Sequence, residues 1–320
     1  MKKLIAKRLA RTLPLIVLIS IVTFSLLHLA PGGPAGVYSG STRMSESDLA
    51  RVRANLGVDR PLPVQYFLWF KKVFLGFDFG TSYVTGQPVA LMIRDRLPAT
   101  LELMGTAFIL AVLLGLSTGV VSALRRDGLL DQIISVISAG GLSVPVFWLG
   151  IIAIYIFSLK LGVLPSGGRE TIGAQGGPAD HIRHLVLPAC VLSIGFFASW
   201  SRYTRAQLLD AIRGDFVRTA RAKGLSETAV IWKHALRNAL IAPLTVAGML
   251  FANIITGAVI LENVFAWPGL GKMSVDSMIA RDFPVVQGIT LLVAALVLMV
   301  NLLVDITYAY VDPQIRYQNT

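Results

Sequence analysis

Asp215-Phe216-Val217-Arg218-Thr219-Ala220-Arg221-Ala222-Lys223-Gly224-Leu225-Ser226 interrupts a chain that is otherwise dominated by long apolar runs. One such run, 185–200, precedes it and another, 238–261, follows it. The polar stretch from 201 to 237 is too long for a simple turn between two spans. Leu208, Leu209, Ile212 and Phe216 recur in it at helical spacing, with Arg205, Asp210, Arg213 and Arg218 between them. Gly224 then breaks the pattern, and Ser226 is placed to cap a second helix carrying Val230, Ile231, Ala235 and Leu236. The expectation is two short amphipathic helices joined at a glycine. Such a pair either lies on the membrane or forms a docking surface for a soluble partner.

Outward from this stretch the composition decides the class. Of 320 residues, 54% are hydrophobic and 15% are charged, against roughly 25% charged in a soluble domain. Mean hydropathy is +0.68. Six apolar runs approach the roughly 20 helical residues that cross a hydrocarbon core: 13–29, 103–121, 133–159, 185–200, 238–261 and 283–304. Backbone groups in lipid must bond within their own segment, so each run is expected to be helical. The reading is an all-α integral membrane protein with about six spans. Pro14, Pro145, Pro188 and Pro243 fall in or at the ends of the runs and mark kinks or entry points. Gly140, Gly141 and Gly150 supply small surfaces for close helix packing. Cys190, the only cysteine, lies in an apolar run and reads as a small buried hydrophobe.

The first run follows Lys2, Lys3, Lys7, Arg8 and Arg11, an arrangement shared with signal peptides. Pro31 directly after Ala30, and His28 two positions before it, disfavour cleavage, so the run is expected to be a retained span. The formal charge of +11 is accounted for by orientation in a bilayer, with no need for nucleic acid. Placing the N-terminus inside puts 16 of the 29 Lys and Arg residues in inner segments and five in short outer loops. The remaining eight fall in the outer segment, which is long enough to escape the rule. The division is then 1–29 for the inner N-terminus and first span, 30–96 for an outer segment, and 97–309 for a core of five spans. That core holds an inner loop at 201–237 and an outer loop at 262–284, and 310–320 form an inner tail. In the outer segment Ser45 and Asp48 suit a helix cap before Leu49, Val52 and Leu56, with Gly57 as its stop. Tyr66-Phe67-Leu68-Trp69-Phe70-Lys71-Lys72-Val73-Phe74 suits either a helix at the membrane surface or a small core helix.

The chain carries no convincing catalytic motif. The nearest approach to a phosphate-binding loop is Gly269-Leu270-Gly271-Lys272-Met273-Ser274. Met273 stands there where Ser or Thr is required. His181 and His184 share a helical face, but Asp180 is the only adjacent carboxylate and no Cys is near, a poor metal set. The span centres lack Asp, Glu, Lys and Arg, which disfavours an ion-coupled carrier. Glu102 and Asp305, at the ends of spans, are expected to be solvated at the interface.

Several stretches resemble one family, the permease subunits of bacterial ATP-binding-cassette importers for dipeptides, oligopeptides, glutathione and nickel. They are Thr23–Gly32, Leu56–Tyr66, Phe79–Tyr83, Ser143–Trp148, the opening stretch with His234–Ala239, and Glu262–Gly271, in that order along the chain. The resemblance implies a type I importer fold in the bacterial cytoplasmic membrane, with both termini cytoplasmic. It implies no catalytic centre or cofactor of the chain's own. The partners implied are a second, homologous permease in a heterodimer, two cytosolic ATPases using ATP and Mg, and an external binding protein. The implied ATPase-coupling residues are Asp215, Arg218, Ala220, Ala222, Lys223, Gly224, Leu225, His234 and Asn238. Ala220 and Gly224 match the family's coupling pattern, whereas Arg218, Thr219 and Arg237 depart from its general form. Glu262, Phe265, Trp267, Pro268, Gly269 and Gly271 would face the binding protein. Peptide is the substrate expected, with glutathione or nickel uptake as the alternative within the family.

Overall fold

The computed structural model describes residues 2–29, 60–171, 173 and 176–311. The cap at Ser45–Gly57 and the tail from 312 lie outside these residues. Apolar runs become helices because each backbone N–H and C=O then bonds within its own segment. In chain order the helices are α1 (Lys2–Leu29), α2 (Leu62–Gly76), α3 (Val89–Leu124), α4 (Leu129–Ser143) and α5 (Val146–Ala153). α5 continues as a π-helix over Ile154–Lys160. α6 (Pro178–Ile212) and α7 (Asp215–Ala222) follow. Next, Glu227–Ala229, a π-helical turn Val230–Ala235 and Leu236–Ala239 run in direct succession as α8. α9 (Ile241–Val264), α10 (Leu270–Ile279) and α11 (Phe283–Val311) complete the order.

Among the described residues three helices are long and apolar enough to cross a membrane: Val89–Leu124, Pro178–Ile212 and Phe283–Val304. The pair Leu129–Ser143 and Val146–Lys160 makes a fourth span if counted together. α1 and α9 carry the first and fifth apolar runs. The run 133–159 is not one helix, as expected from its sequence, but two segments bent by 107°. Pro145 is the cause. Its ring drives Val144 to φ −93°, ψ 129°, ending α4, and its own carbonyl accepts from Trp148 N to start α5. Pro14 and Pro188, by contrast, sit inside continuous helices. α3 begins at Val89, inside the segment assigned outside the core, and α6 extends well beyond the run 185–200 at both ends.

The chain divides into two compact units, one of residues 1–98 with 269–299 and one of residues 99–268 with 300–320. In the first unit α2 packs on α1 through an aromatic cluster of Phe24, His28, Tyr66 and Trp69. The Tyr66 hydroxyl lies 2.8 Å from Ser20 Oγ. Phe67, Leu75, Phe77 and both lysines of α2 remain exposed, so one face is core and the other is free for lipid. Elsewhere in this unit Val89 and Ile93 of α3, Leu270 and Met273 of α10 and Val285 and Ile289 of α11 form an apolar core. Buried Asp282 closes it, accepting hydrogen bonds from Ser82 Oγ and, at 2.9 Å, from Tyr83 N.

In the second unit α6 is the hub, packing against α4, α5 and α9. α3 approaches it very closely at Gly119. A Cβ there would lie 2.6 Å from Thr204 Cβ and 2.7 Å from the Ser201 carbonyl oxygen. Gly141 and Gly150 make similar approaches to Ile194 and Val264, whereas Gly140 faces open space. Cys190 is exposed rather than buried. It sits on α6 in register with exposed Ile182 and Val186, on a face that no other described helix covers.

Candidate functional site

The segment after α6 departs in detail from the two helices read in the sequence. Leu208, Leu209 and Ile212 belong to the end of α6, and Phe216 to a separate helix, α7. Gly214 interrupts them. A Cβ there would lie 2.6 Å from the Phe216 ring and 3.2 Å from the Ala211 carbonyl oxygen, so a side chain would have to displace the exposed Phe216. The turn expected at Gly224 is present. Its φ is +76°, the left-handed region where a side chain is strained. Leu225 N donates to Ala220 O at 3.4 Å and Gly224 N to Arg221 O at 2.9 Å, the paired bonds of a Schellman cap. Ser226 then caps α8 as expected, its hydroxyl accepting from Ala229 N at 3.4 Å.

An apolar core fixes this two-helix segment to the spans. Val217 and Ala220 of α7 and Val230, Ala235 and Ala239 of α8 pack with Val120 and Ala123 of α3 and Leu208 of α6. Ala220 is thus buried in the segment's own core. Asp215, Arg218, Ala222, Lys223, Leu225 and Asn238 are exposed, and His234 is half-buried. Asn238 Nδ2 donates to the His234 carbonyl at 3.2 Å. Two aromatics on the same segment are exposed: Phe216, whose spacing placed it in the apolar pattern, and Trp232, which that pattern does not mark. The signal available was their place among charges, where core aromatics are out of position. Across the glycine turn Arg221 grips Glu227 with two hydrogen bonds, of 3.1 and 2.6 Å. The guanidinium holds the Glu227 carboxyl below the usual carboxylate range, and Arg221 is raised in turn.

The stretch Glu262–Gly271 behaves in the opposite way. Glu262, Phe265 and Trp267 are buried within the chain itself. Glu262 accepts from Thr100 Oγ1 at 2.7 Å, and the Trp267 ring N–H donates to the Ala99 carbonyl at 2.8 Å. Trp267 therefore plugs its own unit. Glu262, Phe265 and Trp267 are thus enclosed by their own unit, and the exposed surface of this stretch lies at Ala266. Pro268 is half-buried. In the other unit Gly269 and Gly271 are buried where the chain enters α10. Lys272 on α10 pairs with Asp276 one turn on, at 2.9 Å.

Glu102 is not simply solvated. It pairs with Arg169 at 2.8 Å and with His181. His184 turns to the Gly167 carbonyl, 2.9 Å from Nδ1, and to Thr171. Thr171 in turn donates twice to Asp180, at 2.8 and 2.7 Å. The two histidines thus tie down the loop before α6 with different partners. Among the described residues no group of three or more His, Cys, Asp or Glu is placed to hold a metal. Asp305 lies outside the residues whose side chains are described. One ion pair went unread in the sequence. Arg205 Nε and Nη2 each donate to buried Asp131 at 2.7 Å, and Ser122 adds a further bond.

Helices of membrane-spanning length thus accompany a folded segment with an apolar underside and a charged exposed face. Residues 111–317 match the family described as binding-protein-dependent transport system inner membrane component, and residues 1–104 match its N-terminal companion. The chain belongs to this family and is the permease component of an ATP-binding-cassette importer. It is 42% identical over 314 residues to the "Oligopeptide transport system permease protein AppB" of Bacillus subtilis, covering 98% of this chain and 99% of that protein. It is also 42% identical over 313 residues to the "Probable peptide ABC transporter permease protein y4tP" of Sinorhizobium fredii, covering 98% and 99%. Among solved structures, the inward-facing MetNI methionine ABC transporter matches with a TM-score of 0.57 at 20% identity. That match covers 69% of this chain and 97% of the other. The likeness supports the type I importer fold.

Proposed function

We propose that this permease forms half of a peptide pathway and takes its driving motion from cytosolic ATPases through α7 and α8. The observation that carries the reading is the turn at Gly224. A left-handed glycine, a Schellman cap and the Arg221–Glu227 bridge hold α7 and α8 in one rigid corner. Below the corner lies the segment's apolar core, and above it Phe216, Arg218, Lys223, Leu225 and Trp232 are exposed. A short helix with apolar anchors inside a ring of charge suits a groove in a soluble partner. The peptide substrate is supported by the names of relatives that match almost the whole chain.

In this reading the Lys and Arg distribution puts the Asp215–Asn238 segment and both termini in the cytoplasm. Two ATPases bind and hydrolyse ATP with Mg, and this chain contributes no cofactor site. Their closure pulls the rigid corner, and the shared core transmits the pull to α3 and α6, so the spans rotate and access alternates. A second, homologous permease completes the pathway, and an external binding protein delivers the peptide. The loops held by buried Glu262 and Trp267 serve as its landing platform through their exposed backbone and neighbours. The test is affinity purification from bacterial membranes in mild detergent, followed by peptide uptake in liposomes. The expected result is stoichiometric recovery of a second permease and ATPases, with ATP-dependent uptake. Recovery of this chain alone, under conditions that preserve a known importer, would refute the reading.

A further inference from the structure

A cavity of about 560 Å³ opens between α4 and α6, lined by Ser135, Ala139 and Leu142 on one side and Ser199, Arg202 and Tyr203 on the other. Its volume lies in the range of small-molecule sites, roughly 300–1,000 Å³. Two guanidinium groups reach it, and only one is compensated. Arg205 is spent on Asp131 through both of its short hydrogen bonds. Arg202 has no carboxylate or carbonyl partner among the described residues, although it sits within one turn of the apolar run that ends at Trp200. Arg202 is exposed to the cavity, so its guanidinium is free to receive an anion. The other donors are free as well. Among the described residues neither the Tyr203 hydroxyl nor the Ser135 hydroxyl has a hydrogen-bond partner, while Ser199 is engaged with the Gly195 carbonyl at 3.1 Å. The cavity therefore presents one net positive charge, two spare hydroxyl donors and an apolar wall of Ala139 and Leu142.

We infer that this cavity is an oxyanion site in the transport pathway, in which Arg202 receives the terminal carboxylate of a passing peptide. A guanidinium offers two parallel N–H donors that match a carboxylate, and the serine and tyrosine hydroxyls complete its shell. The apolar wall accepts side chains without selecting among them. This recognises the one group that every unmodified peptide shares, as a weakly selective pathway requires. The inference rests on the peptide reading above. An anionic lipid phosphate presents the same chemistry, so the experiment separates the two sources.

The complete importer is reconstituted in liposomes of phosphatidylcholine, with and without phosphatidylglycerol. Uptake of trialanine and of its C-terminal amide is measured at equal occupancy of the binding protein. Arg202→Ala is expected to lower trialanine uptake about tenfold or more, the loss expected for a charged hydrogen-bonded pair. It should leave uptake of the amide unchanged in both lipids, and Arg202→Lys should retain most trialanine uptake. Retained amide uptake also reports that the variant has assembled. Equal loss of both peptides, or no loss of either, overturns the inference. A loss confined to liposomes containing phosphatidylglycerol also overturns it and assigns the cavity to lipid. If the wild-type importer carries neither peptide, the peptide reading itself fails.

Discussion

Substituting Gly224 separates a requirement for backbone geometry from a requirement for space. A Cβ built there meets no atom within 4 Å, so a side chain clashes with nothing in this chain. What it disturbs is the φ of +76°. A non-glycine residue in the left-handed region costs about 1–2 kcal/mol, and asparagine less than most because it visits that region readily. Each 1.4 kcal/mol is about a factor of ten in population. Gly224→Val, β-branched and least tolerant, should therefore reduce the properly turned corner by about tenfold or more. Gly224→Ala should reduce it several-fold, and Gly224→Asn only slightly. Coupled uptake per ATP hydrolysed, in membranes with matched amounts of assembled importer, should follow the order Asn, Ala, Val. Normal coupling in Gly224→Val would remove the turn from the mechanism. A loss in Gly224→Asn as deep as in Gly224→Val would show that the partner occupies the space over the glycine, and that geometry is not the constraint.

Gly119→Ala should cost about 1–3 kcal/mol by overpacking, because its methyl meets a Cβ and a backbone oxygen that cannot swing away. Thermal unfolding of the purified importer in detergent at an unchanged temperature would contradict this. Trp267→Ala should cost roughly 3–5 kcal/mol and Trp267→Phe far less, since the first empties a fully buried site and the second chiefly loses the bond to the Ala99 carbonyl. Equal melting of the two variants would deny its role as a plug. Arg205→Ala leaves Asp131 buried without its cation, at a cost of about 3–5 kcal/mol. The double variant with Asp131→Ala should recover part of that loss in the same melting assay, and additive losses would contradict the pairing. The Glu227 carboxyl is lowered by Arg221, so the pair stabilises the corner above the ordinary carboxylate range and fails as pH falls through the lowered value. The protection of the Leu225–Ala229 amides against exchange, relative to the intrinsic rate at each pH, should therefore fall on acidification and with added salt, and Glu227→Gln should abolish that fall.

The spans were legible because hydrophobic length is a one-dimensional property, and lipid leaves the backbone no alternative to a helix. The glycine corner was legible for a similar reason. A left-handed glycine and a serine cap are local devices, and Gly224 and Ser226 announce both. The bend of 107° was half legible. Pro145 marks a break, but the angle depends on what α5 packs against, which no window of sequence contains. The end of α6 was misread because Leu208, Leu209, Ile212 and Phe216 keep helical spacing across Gly214, and only the three-dimensional turn shows that two helices share the pattern.

Burial is where sequence reasoning failed most, and the failures have one cause. Asp131 and Arg205 are 74 positions apart, and each reads alone as an interfacial charge. Trp267 and Glu262 read as outer-loop residues facing a binding protein, yet their hydrogen-bond partners, Ala99 and Thr100, come from a different helix. Pairing across helices neutralises a polar group without leaving a local pattern. A conspicuous residue in a loop therefore says that something is held there, but not whether a partner protein or the chain itself does the holding. The distinction matters for transport. At the corner the conspicuous charges stay exposed over a buried apolar base shared with α3 and α6, so they are available to the partner proposed above. At Glu262 and Trp267 the conspicuous side chains are consumed internally, so substitution there should act through stability before it acts on recognition. Variants of Arg218 or Lys223 should instead weaken coupling while the importer melts as the unmodified one does. Unchanged coupling in those variants, or a lowered melting temperature, would contradict this division of labour.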